Sequence, residues 1–279
     1  MNILVTGADG QLGCCLRDIV EKNGNGTPHH FVGEKNYWLF AGHGDLDITD
    51  SSAVDKFITD NHICVVVNCA AYTDVDKAES EKERAKAINV DGVKNLATAC
   101  YKQGTVLIHI STDYVFNGKG ETPWKPDDKN YEPLSEYGRT KLQGELKVCE
   151  LEKFFIVRIA WLFGGPISFV NTMIKVGKTH DEVKVVTDQI GTPTYSKDLA
   201  RLLVDMIETD KHGYYHATNE GGYISWYDFC VEIYKQANMS TKVIPVTTAE
   251  YGLSKAARPV NSRLDKSKLV EAGFRPLPD

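Results

Sequence analysis

The chain has no apolar run of membrane-spanning length. Its longest candidate, Ile63 to Ala71, is short enough to be a buried strand. Seven cysteines, an odd number without CxxC spacing, speak against a disulfide framework and for reduced thiols buried as small hydrophobes. A strong charge of one sign is also missing. The net charge of -6 is dispersed, so neither nucleic acid nor a membrane is expected as a partner. Internal repeats and low-complexity segments are absent. Strand residues Ile3-Leu4-Val5 follow the start at once, leaving no room for a secretory leader, and a cytoplasmic protein is expected.

What remains is ordinary globular material: 279 residues, 42% hydrophobic and 25% charged. Strand patterns at Asn2 to Thr6, Val65 to Asn68, Thr105 to Ile110 and Phe154 to Ile159 alternate with helical patterns. Those helical patterns cover Leu12 to Lys22, Ala85 to Tyr101 and Thr140 to Cys149. This alternation predicts an α/β fold, a doubly wound parallel sheet covered by helices on both faces. After Gly164 the pattern loosens. Short strands at Val183 to Val186 and Gly213 to His216, and helices at Lys197 to Ile207 and Ser225 to Gln236, suggest a smaller interleaved lobe. The expected division is a dinucleotide-binding domain over 1–164, with a returning segment near 187–217. The substrate lobe would take 165–186 and 218–279. The charged run Asp76 to Lys86 reads as a solvated helix face.

Gly7, Gly10 and Gly13 lie where the first strand turns into the first helix, as in a Rossmann-type nucleotide site, although the spacing is GxxGxxG rather than GxGxxG. Glycine there permits a tight turn and close approach to a pyrophosphate, which the helix N-terminus favours. Gln11 and Leu12 belong to the same loop. Ala70, Ala71 and Tyr72 end the third strand and form the expected floor of the cofactor site. Further on, Tyr137 and Lys141 stand one helical turn apart, with Ser111-Thr112-Asp113 upstream. A tyrosine hydroxyl protonates a carbonyl oxygen usefully only if its anion is stabilised, and Lys141 supplies positive charge. Thr112, at a strand end, is the expected hydrogen-bond donor to the substrate oxygen; Ser111 competes for that role, and strand alternation does not decide. Asn89 either relays a proton to Lys141 through water or holds local backbone.

At these residues the chain resembles the extended short-chain dehydrogenase/reductases and, within them, the dTDP-4-dehydrorhamnose reductase family. The similar runs include Gly7 to Gly13, Leu46 to Asp50, Asn68 to Glu79, Ser111 to Phe116, Tyr137 to Lys141, Asp188 to Thr194 and Arg258 to Asp265. The resemblance implies reduction of the 4-keto group of a dTDP-sugar. Tyr137 would be the proton donor, Thr112 and Asp113 would contact the sugar, and Trp161 would pack beside it. It also implies that Asp47 and Ile48 frame the adenine. That favours Tyr37 to Ala41 as the second strand, ending at Gly42 and His43, over Phe31 to Gly33 with Glu34. NADPH is then the expected cofactor, with NADH possible, because the strand end carries no acid against a 2'-phosphate. Arg258 and Arg263 would reach the diphosphate or serve as surface ion pairs. Ser168 replaces an Asn frequent in relatives. Cys15 stands where some relatives carry a magnesium-linked glutamate, so no metal is expected. A homodimer is possible, although relatives continue into another helix beyond Pro278-Asp279. The alternatives are a catalytically silent nucleotide-binding subunit and a reductase or epimerase of another nucleotide sugar.

Overall fold

Six apolar segments line up as one parallel sheet. A computed structural model of the protein describes residues 1–22 and 36–279. The strands are β1 (Asn2–Thr6), β2 (Tyr37–Ala41), β3 (Ile63–Asn68), β4 (Val106–Thr112), β5 (Phe154–Ile159) and β6 (Gly213–His216), in spatial order β6-β5-β4-β3-β1-β2. The second strand is therefore Tyr37–Ala41, in register with β1 from Asn2 opposite Tyr37 to Thr6 opposite Ala41. The competing choice, Phe31 to Gly33 with Glu34, lies outside the described residues.

Side chains alternate between two cores, as a sheet buried on both faces requires. Ile3, Val5, Val65, Val67, Ile108 and Val157 pack with Leu16 of helix α1 (Gln11–Lys22) and with Leu199 and Leu203 from 196–207. Leu4, Val66, Leu107 and Ile156 face the other way, onto α2 (Ser51–Asp60) and α3 (Val93–Gln103). Asp50 caps α2 by accepting from the Ser52 and Ala53 N–H groups. The strand order reverses at β1, with β2 on one side and β3 on the other. A crevice opens beyond the carboxyl ends of strands at such a point.

Two departures from the sequence pattern bear on the site. The helix expected over Ala85 to Tyr101 is interrupted by a π-helical turn at Ala87–Gly92, between Lys82–Lys86 and α3. The helix carrying Tyr137, α4 (Glu136–Val148), begins one turn earlier than expected. Its first N–H groups are met by Ser135 Oγ, which accepts from Gly138, and by Glu79 Oε1, which accepts from Glu136 at 2.8 Å. The Asp76 to Lys86 run is thus more than a solvated face. Asp76 also receives the Lys255 and Ala256 N–H groups and pairs with Arg258 at 2.8 Å.

The smaller lobe gathers α5 (Phe169–Gly177), α7 (Trp226–Gln236) and a parallel pair, Glu182–Val186 with Lys242–Val246. Its aromatic core includes Phe169, Trp226, Phe229 and Tyr234. Between the lobe helices, α6 (Ser196–Ile207) and β6 return to the main sheet. Packing does not follow the expected boundary at 218. Leu269, Phe274 and Leu277 bury against Leu199 and Tyr215 in the main core, because the chain end runs back over α6 and β6.

Candidate active site

The glycine turn forms as its residues require. Gly7 adopts φ +63°, which strains any side chain, and a Cβ there would come within 2.6 Å of the Ala70 nitrogen. A Cβ on Gly13 would come within 2.5 Å of the Gly7 carbonyl oxygen, so α1 packs tightly on the loop. The first turn of α1 carries no acidic residue, leaving its N-terminus suited to an anion. Gly7 is thus brought beside Ala70 and the end of β3, with Gly10 and Gly13 packed on the Gly7 carbonyl. Leu12 differs, because its side chain is in the main core. Gln11 Oε1 accepts from the Gly165 N–H at 3.1 Å, joining the loop to the segment that enters the lobe. Asp47 accepts from the N–H and hydroxyl of Thr49, and these bonds hold its carboxyl below the usual range. Ile48 is buried and packs on Gly92 of the π turn. The Asp9 carboxylate, from the loop after β1, lies over Gly42 at the end of β2, where a Cβ would collide with it.

At the carboxyl end of β4, Thr112 caps a short 3-10 turn (Asp113–Val115). Its hydroxyl donates to Asp113 Oδ1 at 3.0 Å and accepts from the Tyr114 N–H, and it lies near enough to the Tyr137 hydroxyl to favour its charged form. Among the described residues the Ser111 hydroxyl is buried without a hydrogen-bond partner, whereas the Thr112 hydroxyl is partnered by Asp113 and the Tyr114 N–H. Burial pushes the Tyr137 hydroxyl up to about 12, against the Thr112 hydrogen bond and helped by the Asp113 charge. Burial likewise pushes Asp113 up to about 6, against hydrogen bonds from Ser262 and Thr112, and its Oδ2 has no hydrogen-bond partner among the described residues. Two close approaches fix α4 here. Gly138 lies on the Tyr114 carbonyl and Gly144 on the Asn89 carbonyl, each at a spot where a Cβ would collide.

Lys141 is one turn along the same helix but is not brought to the Tyr137 hydroxyl. It lies deeper in the sheet, donating to the Ile110 carbonyl at 2.6 Å with His109 Nε2 at 3.4 Å. Burial lowers it to about 8, opposed chiefly by the charge of Glu145. Sequence reasoning passes over His109, although a histidine inside an apolar strand was a visible signal. Asn89 holds backbone: its amide bonds both the N–H and the carbonyl of Tyr72, at 2.8 and 3.1 Å, as well as Thr140 Oγ1.

Trp161 sits in the left-handed region, φ 52°, a costly conformation for a bulky residue. Trp226 of the lobe holds it there by stacking at 3.9 Å, and Gly191 packs against its ring. Gly191 also abuts Ser262, beside Asp113, so Trp161 shares the site's neighbourhood. Arg258 and Arg263 are engaged within the protein, on Asp76 and on Asn261 Oδ1. Cys15 faces the Ser196 hydroxyl at 3.2 Å. All seven cysteines are free thiols. No helix among the described residues is long and apolar enough to cross a membrane.

The family model described as the RmlD substrate binding domain matches residues 1–279. The chain is 39% identical over 291 residues to the dTDP-4-dehydrorhamnose reductase of Aggregatibacter actinomycetemcomitans, covering 98% of this chain and 94% of that relative. Among solved structures it is similar to a dTDP-4-dehydrorhamnose reductase from Clostridium acetobutylicum, with TM-score 0.91 and 43% identity over 99% of this chain and 95% of that one. It is also similar to the Bacillus anthracis enzyme of that name in complex with NADP, with TM-score 0.90 and 38% identity over 100% and 95% of the two chains.

Proposed function

We propose that this chain, which belongs to the RmlD substrate-binding-domain family, reduces the 4-keto group of dTDP-4-dehydro-β-L-rhamnose to dTDP-L-rhamnose with NADPH. The observation that carries this reading is the placement of Thr112 beside the buried Tyr137 hydroxyl, at the same end of the sheet as the Gly7 turn.

The residues present fit the dinucleotide. A loop with no space for a Cβ at Gly7 or Gly13 opens on a helix N-terminus free of acids, and Ala70 and Ala71 leave the β3 end low. Gly7, Gly10, Gln11, the Leu12 N–H, Gly13, Asp47, Ile48, Ala70, Ala71, Tyr72, Tyr137 and Lys141 would hold it. Bound there, NADPH supplies the hydride to the carbonyl carbon. Thr112 orients the carbonyl oxygen by a hydrogen bond, and Tyr137 gives that oxygen its proton. With its hydroxyl pushed up to about 12, Tyr137 keeps its proton until the developing alkoxide needs it. Asp113 is the candidate for holding a sugar hydroxyl through its unpartnered Oδ2, and Trp161 for packing on the ring. The free thiols favour a cytoplasmic setting, and the family resemblance favours a homodimer.

The test is NADPH oxidation, followed by absorbance, with enzymatically made dTDP-4-dehydro-L-rhamnose and a control without sugar. Sugar-dependent oxidation is expected, and a flat trace with folded, cofactor-binding protein overturns the reading. The same assay examines cofactor choice. Asp9, from the loop after β1, lies over Gly42 near the strand end where a ribose-binding acid usually lies, and would oppose a 2'-phosphate bound there. Asp9→Asn is expected to raise the NADPH-over-NADH ratio of kcat/KM about fivefold, the effect of removing one exposed like charge worth ~1 kcal/mol. An unchanged ratio places the 2'-phosphate away from Asp9.

A further inference from the structure

A line of buried hydrogen bonds runs from the cofactor end of the sheet to Lys141. The Thr6 hydroxyl donates to Asn68 Oδ1 at 2.7 Å, and the Ala70 N–H donates to the same oxygen at 3.2 Å. The Ala70 N–H cannot accept, so it fixes which end of the Asn68 amide is oxygen. The amide nitrogen must then point at His109, whose Nδ1 lies 3.0 Å away. An NH2 group offers only protons, so His109 Nδ1 accepts and the ring proton sits on Nε2. His109 is fully buried, and burial drives it well below the ordinary histidine value, so it holds a single ring proton.

That leaves the Nε2–H aimed at Lys141 Nζ, 3.4 Å away, while Nζ itself donates to the Ile110 carbonyl. An ammonium has no lone pair to receive this hydrogen, whereas a neutral amine has one. We propose that His109 is a positioning residue for Lys141: its Nε2–H, oriented by Asn68, makes the inward seat on the Ile110 carbonyl a seat for the neutral amine. Lys141 therefore has reason to leave that seat when it carries a proton, and its helix turn leads toward Tyr137. The inference deepens the reductase reading and rests on it only for its consequence in turnover.

The other titratable groups around Nζ do not undo this. Cys69, from the end of β3, is pushed up to about 12 by burial and stays a neutral thiol. Glu145, from α4 itself, favours the charged lysine, but both its oxygens are engaged by Arg158. The net effect leaves Lys141 at about 8, below the ordinary lysine value.

The test is ¹⁵N NMR of the full chain labelled at histidine and lysine, with the Lys141 signal assigned by its loss in Lys141→Met. In the unmutated protein His109 is expected as the Nε2–H tautomer, with Lys141 titrating below the other lysines. Asn68→Asp keeps the oxygen that receives Ala70 and Thr6 but replaces the NH2 by an acceptor. The ring should reverse to Nδ1–H, presenting a lone pair to Nζ, and the Lys141 midpoint should rise by about one pH unit or more. The new carboxylate also acts through space, so Asn68→Asp is repeated with His109→Leu, where less than half the rise should survive. An equal rise in both backgrounds overturns the proposal. So does an Nδ1–H tautomer in the unmutated protein, a measurement that needs no variant at His109 or Asn68 to fold. None of these signals depends on which sugar is reduced, so failure of the reductase reading would appear only in the NADPH assay.

Discussion

Tyr137→Phe lowers kcat for the sugar about 10²- to 10⁴-fold, the usual contribution of a positioned general acid, and leaves NADPH affinity within about twofold. The variant removes one oxygen and little else. Phenylalanine keeps the edge-on ring contact with Tyr114, whose centroid lies 5.5 Å away, so α4 should hold its place. What is lost is the proton held ready for the alkoxide, in a site where burial keeps the hydroxyl up to about 12 and therefore protonated at neutral pH. Such an acid is weak until a positive charge approaches, and Lys141, one turn on, is the cation on its face of the helix. Because its amine is engaged at the Ile110 carbonyl, the tyrosine and lysine act in sequence rather than as a fixed pair. Steady-state rates with the verified ketosugar, beside a fluorescence titration of NADPH, separate the two effects. Near-normal kcat would remove Tyr137 from the proton's path, and a loss of NADPH affinity as large as the loss of kcat would make holding the cofactor, rather than delivering the proton, its main role.

Much of this site was legible because its signals are local. Continuous apolar runs such as Ile63–Asn68 announce buried parallel strands, and a glycine at position 7 after such a strand announces the turn. Tyr137 and Lys141 show their shared helix face by spacing alone. The parts that were not legible depend on distant residues. The start of α4 is set partly by Glu79, 57 residues away, so its first turn was missed. The π turn at Ala87–Gly92 adds a residue to one helical turn, a change that apolar periodicity hardly registers. Ser111 and Thr112 could not be separated because β4 ends in a 3-10 turn at that point, where alternation no longer governs direction. The inward course of Lys141 depends on Asn68 and His109 from two neighbouring strands, a pairing that only the sheet order creates. The Arg258 and Arg263 motif was equally open, and its guanidinium groups proved to be engaged by Asp76 and Asn261.

Arg158→Met destabilises the fold by about 3–5 kcal/mol, the cost of stranding one partner of a buried ion pair. For a chain of this size that corresponds to a fall in Tm on the order of 10 °C. Arg158 is fully buried on β5. It forks onto Glu145 of α4, with Nε to Oε1 at 2.9 Å and Nη2 to Oε2 at 2.7 Å. Its remaining donors reach the Pro126 carbonyl and the Tyr131 hydroxyl, and the rings of Phe116, Tyr131 and Tyr214 lie about its guanidinium. Methionine fills most of that volume but supplies no donor, so the Glu145 carboxylate is left unpaired in an apolar setting. The pair as a whole need not be stabilising, since desolvating two charges offsets much of their attraction. Arg158→Met with Glu145→Leu should therefore recover at least half of the loss in urea unfolding, whereas additive losses would mean that the arginine acts through Tyr131 and Pro126 instead. The double variant has a second use. Glu145 stands one turn beyond Lys141 and favours its charged form. A stable fold without that carboxylate should hold Lys141 in its inward, neutral seat more of the time, and turnover should fall more than stability does.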